Sequence, residues 1–215
     1  MEFLAALVGG YLAGSIPFGL LLTRAAGLGD IRSIGSGNIG ATNVLRTGNK
    51  GIALATLVLD AAKAMVALLL AWQLTGSQGI GFVAGAGAFL GHCFPVWLRF
   101  RGGKGVATFF GTLLVGLWPA GVLAAVTWLA TAFIFRYSSL AGLTASALAP
   151  LLALLFTRDP LIIGSIAAMS GMLWIRHADN IAKLRAGTES RIGDKSAGKA
   201  GPAPAEPAVD QAPAP

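Results

Sequence analysis

Repeated apolar runs constrain the fold of this chain more than any other sequence feature. They lie at about residues 3–23, 51–74, 79–98, 105–135, 139–157 and 160–176. A transmembrane helix needs roughly 20 mainly apolar residues to cross about 30 Å of hydrocarbon, and most of these runs are long enough. Only 12% of the 215 residues are charged, whereas soluble domains carry about 25% charged residues. The sequence therefore predicts an all-α integral membrane protein.

The run 105–135 exceeds the length of one span and is predicted to form two. Pro119 lies near its middle, within "GLWPAG", and a proline inside a helix removes a hydrogen bond. The expected spans are 105–118 and 119–135, and the first covers only about 21 Å, so it must be tilted, thin the bilayer or be partly re-entrant. The first run starts Met-Glu-Phe without a basic segment, so we interpret it as a span and not as a signal peptide.

Lysine and arginine collect in three connections, and their placement predicts the orientation of the helices. Loop 24–50 holds four cations and one acid, loop 98–104 holds three cations, and the segment after Trp174 holds six. The positive-inside rule assigns such connections to the cytoplasm. Seven spans with an outside N-terminus put all three connections there, whereas six spans put the last one outside. We therefore predict seven transmembrane helices with the N-terminus outside and the C-terminus in the cytoplasm.

The composition changes near the C-terminus. From about Ser196 the chain is rich in alanine and proline and has few large apolar residues, so it cannot bury enough surface to offset its conformational entropy. We expect a transmembrane domain at 1–193 and a disordered cytoplasmic tail at 194–215. The net charge of +7 is attributed to contact with anionic membrane lipids and not to nucleic acid.

Three polar segments follow or precede apolar runs on the predicted cytoplasmic side. They are "SIGSGNIGATNVLRTGNKG" at 33–51, "GHCFPVWLRFRGGKGVATFFG" at 91–111 and "RHADNIAKLRAGTESRIG" at 176–193, and the first two contain no carboxylate. Glycine-rich turns and helix N-termini present backbone N–H groups to anions. Arg46 and Lys104 add positive charge, and the hydroxyl donors are Ser36, Thr42 and Thr108. Together the segments predict a site for phosphorylated ligands at the membrane surface.

Other interpretations remain open for individual features. Each polar segment alone is typical of a turn between helices, with cations that anchor topology. "GGKG" lacks the frame of a nucleotide-binding P-loop. His92 is more typical of a structural hydrogen-bonding residue than of a catalyst. Asp60 and Lys63 are three residues apart and are expected to pair inside the bundle, although charges within a span are functional candidates.

His177 and Asn180 are also three residues apart, so a helix places both on one face. They are candidates to hold hydroxyl groups jointly, although a histidine near a helix C-terminus also interacts with the helix dipole. The chain has two histidines and one cysteine, Cys93, with no carboxylate at ligand spacing, so no metal site and no cofactor are expected.

The polar segments resemble the motifs of the bacterial membrane glycerol-3-phosphate acyltransferases that use acyl phosphate, the PlsY family. The matching stretches are "GSGNIGATNVLRT" at 35–47, "GHCFPVWLRFRGGKGVAT" at 91–108 and "RHADNIAKLRAGTESRIG" at 176–193, with "GSIPFG" at 14–19 and "RYSSLAG" at 136–142. The resemblance spans about residues 1–193 in order. It implies seven helices in the bacterial inner membrane with motifs facing the cytoplasm. It also implies transfer of an acyl chain from acyl phosphate to the 1-hydroxyl of glycerol 3-phosphate, the first acylation of phospholipid synthesis.

The resemblance also implies roles for individual residues. Ser36, Arg46 and Lys104 would hold the phosphate of glycerol 3-phosphate, while His177 and Asn180 would orient its hydroxyl groups. The phosphoryl group of acyl phosphate would be surrounded by Thr42, Gly102, Gly103, Gly105 and Ser139, with Ser138 as the alternative to Ser139. The other expected binding residues in the motifs are Asn38, Gly40, Asn43 and Thr108. The catalytic assignment is to His177, Asn180, Lys104 and Arg46. The expected partners are both substrates, membrane lipids and the enzyme that supplies acyl phosphate.

The chemistry expected at this site needs no protein nucleophile. Acyl phosphate is a mixed anhydride with a good leaving group, so positioning and charge stabilisation carry most of the catalysis. The spacing His-x4-Asp is absent, because Trp97 and Ala182 stand five residues after the two histidines. We therefore expect a substrate phosphate oxygen to accept the hydroxyl proton. The alternative function is a membrane transporter of phosphorylated metabolites, and a structural scaffold comes third.

Overall fold

The computed structural model describes residues 1–194, and within that range the chain forms helices and turns without a β-strand. The predicted all-α fold is thereby confirmed for these residues. Apart from its first residue, the tail expected at 194–215 lies outside the described range. The α-helices are α1 (Glu2–Gly14), α2 (Phe18–Ala25), α3 (Ala41–Val44), α4 (Lys50–Thr75), α5 (Gln78–Cys93), α6 (Val106–Gly116), α7 (Trp118–Phe135), α8 (Ser138–Ala153), α9 (Pro160–Arg176) and α10 (Ala178–Arg185).

Four helical segments are long and apolar enough to cross a membrane, and a fifth is added if α9 and α10, which meet at 57°, count as one. The four are α1 with α2, α4, α5 extended to Leu98, and α7. Helices α6 and α8 are apolar but shorter, and the 11 residues of α6 cover about 16 Å at 1.5 Å per residue. Helices α1 and α2 together, and helices α4 to α9, lie in the seven predicted spans. Seven complete crossings stay a prediction.

Prolines set several helix boundaries. The long run is divided at Leu117, and Pro119 lies in the first turn of α7, where its missing N–H costs nothing. The first run, predicted as one span, breaks between Gly14 and Phe18 around Pro17. Helix α5 ends at Cys93, five residues before the predicted end of its span, because Pro95 disfavours helical backbone at the residue before it.

Helix α5 forms the centre of the bundle: 72% of an 18-residue apolar stretch of this segment is buried, against 22–39% in the other three candidate spans. It packs closely on α1 through glycines at four-residue spacing on both helices. A Cβ atom on Gly14 would lie 2.0 Å from the carbonyl oxygen of Ala88, and one on Gly91 would lie 2.1 Å from that of Tyr11. Such small-xxx-small faces let two helix backbones touch, so α1 fixes α5 and the segment that follows it.

The predicted pair of charges inside the bundle is confirmed. Asp60 and Lys63 lie on α4, their side chains are each 3% exposed, and Lys63 Nζ lies 2.8 Å from Asp60 Oδ1. Lys63 Nζ also donates to the carbonyl oxygen of Ile16, at 2.8 Å, in the break between α1 and α2. The break takes that carbonyl out of the helical hydrogen-bond pattern. It accepts instead from the backbone N–H of Phe18, at 3.2 Å, and from the lysine.

Candidate active site

The first polar segment is organised around the buried amide of Asn43. Its Nδ2 lies 3.0, 2.9 and 2.8 Å from the carbonyl oxygens of Ile31, Ile34 and Asn38, which share its two N–H groups. Its Oδ1 accepts from the backbone N–H of Ser36 at 3.1 Å. Because these bonds use the whole side chain, Asn43 shapes the loop and has little left to offer a ligand. The sequence motif predicted its importance, but the structure assigns it to the loop's own backbone.

Arg46 lies beside this amide and reaches the end of the described chain. Its Nη1 lies 3.4 Å from Asn43 Oδ1, and its Nη2 donates to Ser190 Oγ at 3.1 Å. Gly35, with φ +55°, leaves room for the guanidinium, because a Cβ there would lie 2.7 Å from Arg46 Nη1. The first and third polar segments therefore meet at the contact between Arg46 and Ser190, which are 144 residues apart in sequence.

The glycine loop 102–105 is fixed on both sides by protein atoms. The N–H groups of Gly102 and Gly103 donate to the carbonyl oxygens of Cys93 and His92, at 3.1 and 3.0 Å. Arg176 donates from Nη2 and Nε to the carbonyl oxygens of the same two glycines, at 3.0 and 3.1 Å. These glycines therefore hold the shape of the loop, and their N–H groups are already used within the protein.

Lys104 extends from this loop to the third polar segment. Its ammonium group donates to Asn180 Oδ1, and Asn180 Nδ2 donates to Glu189 Oε1 at 2.7 Å. Ser139, at the start of α8, donates from Oγ to the same carboxylate oxygen at 2.6 Å. Burial lowers the pKa of Lys104, and the nearby carboxylates of Glu189 and Asp179 act in the opposite direction. One chain of contacts thus links three predicted site residues from three parts of the sequence.

His177 stands at the bend between α9 and α10, outside the predicted span 160–176. It is 3% exposed, and its Nδ1 contacts the carbonyl oxygen of Leu173 at 2.8 Å. A carbonyl oxygen only accepts, so Nδ1 carries the proton and Nε2 is left as an acceptor. Burial lowers the pKa of His177 to about 4. The neutral ring can therefore accept a hydrogen bond from a hydroxyl group at neutral pH.

Glu189 is a site residue that sequence reasoning missed. The first two polar segments lack carboxylates, and that absence directed attention to cations and hydroxyl groups. Glu189 is brought in by the backbone of the following residues, since Ile192 N–H donates to the carbonyl oxygen of Arg136 at 2.6 Å. The available signal was the lone carboxylate of "AGTESRIG", within the third motif.

The remaining predicted binding residues lie around the site without a hydrogen bond to Lys104, Asn180 or Glu189 among the described residues. Thr108 is fully buried and donates from Oγ1 to the carbonyl oxygen of Gly105 at 2.8 Å, so it supports the glycine loop from within. Ser36 and Thr42 are exposed on the first segment, and Gly40 precedes α3. Asn38 has a buried Oδ1 without a partner among the described residues. For the last choice left open, Ser139 is the serine that contacts Glu189.

An apolar groove begins next to this constellation. It lies between α8, α9 and α10 and has a volume of about 390 Å³. Leu140 and Ile181 line it, each one residue beyond a polar site residue. Ala147 and Leu148 line it about two turns beyond Leu140 on α8. Polar donors and a long apolar surface thus adjoin one another, an arrangement that suits a molecule with a charged head and a hydrocarbon chain.

Comparisons with known proteins agree on one family. The family model described as glycerol-3-phosphate acyltransferase matches residues 4–187. Proteins named glycerol-3-phosphate acyltransferase from Caulobacter vibrioides and Mesorhizobium japonicum are 58% and 60% identical to this chain. The matches cover 94% and 88% of this chain and 94% and 96% of the relatives.

Two solved structures are similar over almost the whole chain. They are crystal structures of PlsY, described as an integral membrane glycerol 3-phosphate acyltransferase, in a glycerol 3-phosphate form and a lysophosphatidic acid form. The TM-scores are 0.84 and 0.81, with 33% and 31% identity, and both matches cover 90% of this chain and 96% of the other.

Proposed function

This chain belongs to the glycerol-3-phosphate acyltransferase family, and from that premise we propose that it transfers an acyl chain from acyl phosphate to the 1-hydroxyl of glycerol 3-phosphate. The products are 1-acyl-glycerol 3-phosphate, which is lysophosphatidate, and inorganic phosphate. The observation that carries the proposal is one chain of contacts: Lys104 donates to Asn180, and Asn180 and Ser139 both donate to Glu189. The two proposed substrates, acyl phosphate and glycerol 3-phosphate, are both anions, and this site offers each of them cations and hydrogen-bond donors.

Within this proposal, the phosphate of glycerol 3-phosphate binds Lys104, Arg46 and Ser36. Arg46 suits the task because a guanidinium binds phosphate through two parallel hydrogen bonds. Ser139 and Thr42 lie toward the phosphoryl group of the donor, with the glycine loop holding Lys104 between the two. Ser139 and Asn180 both donate to Glu189, so a substrate that binds these two residues shares or displaces those hydrogen bonds.

The reaction proceeds by direct attack. The 1-hydroxyl oxygen of glycerol 3-phosphate forms a bond to the acyl carbonyl carbon, and the bond from that carbon to the phosphate oxygen breaks. The hydroxyl proton goes to a phosphate oxygen, so the leaving group departs as inorganic phosphate. His177 and Asn180 hold the hydroxyl groups, and the cations stabilise the negative charge that develops on the leaving phosphate.

We expect the pH dependence of the reaction to come from the substrates and not from His177. With its pKa lowered to about 4 by burial, His177 is neutral from about pH 5 to 8, so no imidazole titration appears there. A phosphate monoester loses its second proton with a pKa of about 6, which gives kcat/KM an inflection near that pH. The measurement is kcat/KM against pH for the wild-type protein and for His177→Gln.

The inflection should persist in His177→Gln at a lower overall rate. An inflection that disappears with the histidine would instead identify it as a general base.

The same pKa affects the stability of the fold. Because the pKa of His177 in the folded protein lies below the usual value of about 6.5, protonation of His177 opposes folding. Stability linked to His177 is therefore complete above about pH 6.5 and decreases as the pH falls toward 4.

We expect Arg176→Lys to raise KM for glycerol 3-phosphate by roughly tenfold, with a smaller effect on kcat. Lysine keeps the charge but cannot bind the carbonyl oxygens of Gly102 and Gly103 together, so the loop that presents Lys104 is less well fixed. Steady-state kinetics on detergent-solubilised protein measures the change. Arg24→Lys is the control, because Arg24 is exposed and pairs with Asp30. Equal KM values for the two variants would contradict this account of the loop.

The acyl chain of the donor is proposed to occupy the apolar groove beside Ser139 and Asn180. The groove is lined almost entirely by carbon atoms of α8, α9 and α10, which matches a hydrocarbon chain and not a polar metabolite. Its position next to the polar site lets one molecule place its phosphate among the donors and its chain along α8.

We further propose a seven-helix arrangement in the bacterial inner membrane, with the N-terminus outside and the site facing the cytoplasm. The support is the cationic bias of the three polar segments, all of which meet in one site. Reporter fusions after residues 48, 103 and 187 test this, and a reporter on the opposite side at any of these positions would overturn it. The enzyme that supplies acyl phosphate is then a partner on the same face.

The test of the reaction is a donor comparison on purified protein. Acyl phosphate, acyl-CoA and acylated acyl carrier protein are each offered with glycerol 3-phosphate, and lysophosphatidate and phosphate are measured. We expect product only with acyl phosphate. Equal rates with acyl-CoA would reject the donor assignment while leaving the acceptor intact. Uptake of glycerol 3-phosphate into vesicles without product would favour the transporter.

A further inference from the structure

Three ionisable side chains meet inside the bundle behind the glycine loop. Asp60 and Lys63 come from α4 and His92 from α5, and each residue is at most 6% exposed. Lys63 Nζ lies 2.8 Å from Asp60 Oδ1 and 3.1 Å from His92 Nδ1, and His92 Nδ1 lies 3.5 Å from Asp60 Oδ1. Burying charges in a membrane protein is costly, so such a cluster calls for a specific role.

The contacts of Lys63 determine the state of the His92 ring. An ammonium group only donates hydrogen bonds, so the nitrogen 3.1 Å from it must be an acceptor. His92 is therefore a neutral imidazole with its proton on Nε2, and Lys63 holds the ring by its Nδ1. Asp60 balances the charge of Lys63, and the carbonyl oxygen of Ile16 accepts from the same ammonium group.

The other edge of the His92 ring supports the glycine loop. A Cβ atom on Gly103 would lie 2.0 Å from His92 Nε2, so the ring packs directly against the glycine backbone. The backbone N–H of Gly103 also donates to the carbonyl oxygen of His92 at 3.0 Å. Lys104 is the next residue, and its ammonium group contacts Asn180. A rotation of the His92 ring would therefore move the residue that precedes Lys104.

We propose that Asp60, Lys63 and His92 are positioning residues for acyl transfer, which fix the glycine loop so that the Lys104 ammonium group faces the phosphate of glycerol 3-phosphate. Lys63 orients the ring, Asp60 pairs with Lys63 and holds it in place, and the ring supports Gly103. The proposal rests on the function proposed above. In this proposal the buried ion pair of Asp60 and Lys63 on α4 increases the affinity for substrate in addition to stabilising the bundle.

The main test is the double variant Asp60→Asn/Lys63→Met, which leaves no unpaired buried charge. We expect it to fold, with KM for glycerol 3-phosphate raised about tenfold to a hundredfold, since misplacement by about 1 Å costs that much. KM for acyl phosphate should change by less than about threefold. Calorimetric titration with glycerol 3-phosphate alone should show the same loss of affinity. Thermal unfolding of the detergent-solubilised protein reports stability separately.

A purely structural pair predicts a different result. It would lower the unfolding temperature and the fraction of active protein, while the remaining enzyme keeps the wild-type KM. Thr131→Val is the matched control. Thr131 is a buried polar residue of α7, and within residues 1–194 its hydroxyl bonds only to the carbonyl oxygen of Thr127. Wild-type KM and affinity in the double variant would overturn the proposal.

A second variant tests whether Lys63 acts through His92. In His92→Gln the amide can still contact Gly103, but no atom remains at the Nδ1 position. Adding Asp60→Asn/Lys63→Met to this background should then change KM by less than about twofold, because residues acting through one another are not additive. Full additivity would contradict the proposed order of contacts. A wild-type protein that neither binds nor acylates glycerol 3-phosphate would instead refute the proposed function itself.

Discussion

Replacing Lys104 with alanine is expected to lower kcat/KM for glycerol 3-phosphate by about a thousandfold while the protein remains folded. Lys104 is the cation that the glycine loop presents to Asn180, and the proposed mechanism gives it contact with a substrate phosphate in both the ground state and the transition state. Removing one well-placed donor from a water-poor site typically costs a factor of about 100 to 1,000. Steady-state kinetics with acyl phosphate as donor measures the loss.

The matched control is Lys50→Ala. Lys50 is exposed at the first residue of α4, so its removal changes the net charge equally without touching the site. Size-exclusion profiles and unfolding temperatures should be alike for the two variants and the wild-type protein. If the turnover rate of Lys104→Ala at low substrate is within about threefold of that of Lys50→Ala, Lys104 has no role in the mechanism.

The second large effect concerns the fold: we expect Gly14→Leu to abolish the folded protein. A Cβ on Gly14 would lie 2.0 Å from the Ala88 carbonyl oxygen and 2.5 Å from its Cα. These are backbone atoms of α5, so no side chain can move aside. The two helices would have to separate by several ångströms, and the glycine contacts further along both helices would be lost. The measurement is the yield of monodisperse protein after detergent extraction.

Gly9→Leu separates this effect from helix propensity and hydrophobicity. Gly9 lies on the same helix, and a Cβ there meets nothing within 4 Å. Leucine favours a helix over glycine at either position, so Gly9→Leu should give wild-type yield. Comparable loss in both variants would show that the packing of α1 on α5 is not the cause.

Much of the fold was predictable because lipid-facing helices show themselves as apolar runs. Pro119 correctly indicated the break between α6 and α7. The break around Pro17 was missed, since its flanking residues are apolar and the run has the length of one span. The glycine faces of α1 and α5 were also missed. Four-residue spacing is visible in the sequence, but it does not say which helix approaches which.

The candidate site was predictable as a set of residues and less so as a set of contacts. Glycine and cation patterns indicated Arg46 and Lys104, and the family resemblance added Ser139. The structure brings all three close to the third segment. Sequence patterns do not reveal that the side-chain amide of Asn43 forms its hydrogen bonds with the backbone of its own loop. They also do not reveal that Glu189 enters the site, because that depends on how the chain folds back after α10.

The groove between α8, α9 and α10 has a consequence for what happens after the reaction. Leu148 and Trp174 line it and are still 40% and 43% exposed on the outside of the bundle. A product whose chain lies there already touches the surrounding lipid. Once its head group dissociates from the polar site, the product can diffuse laterally into the leaflet without its hydrocarbon tail passing through water.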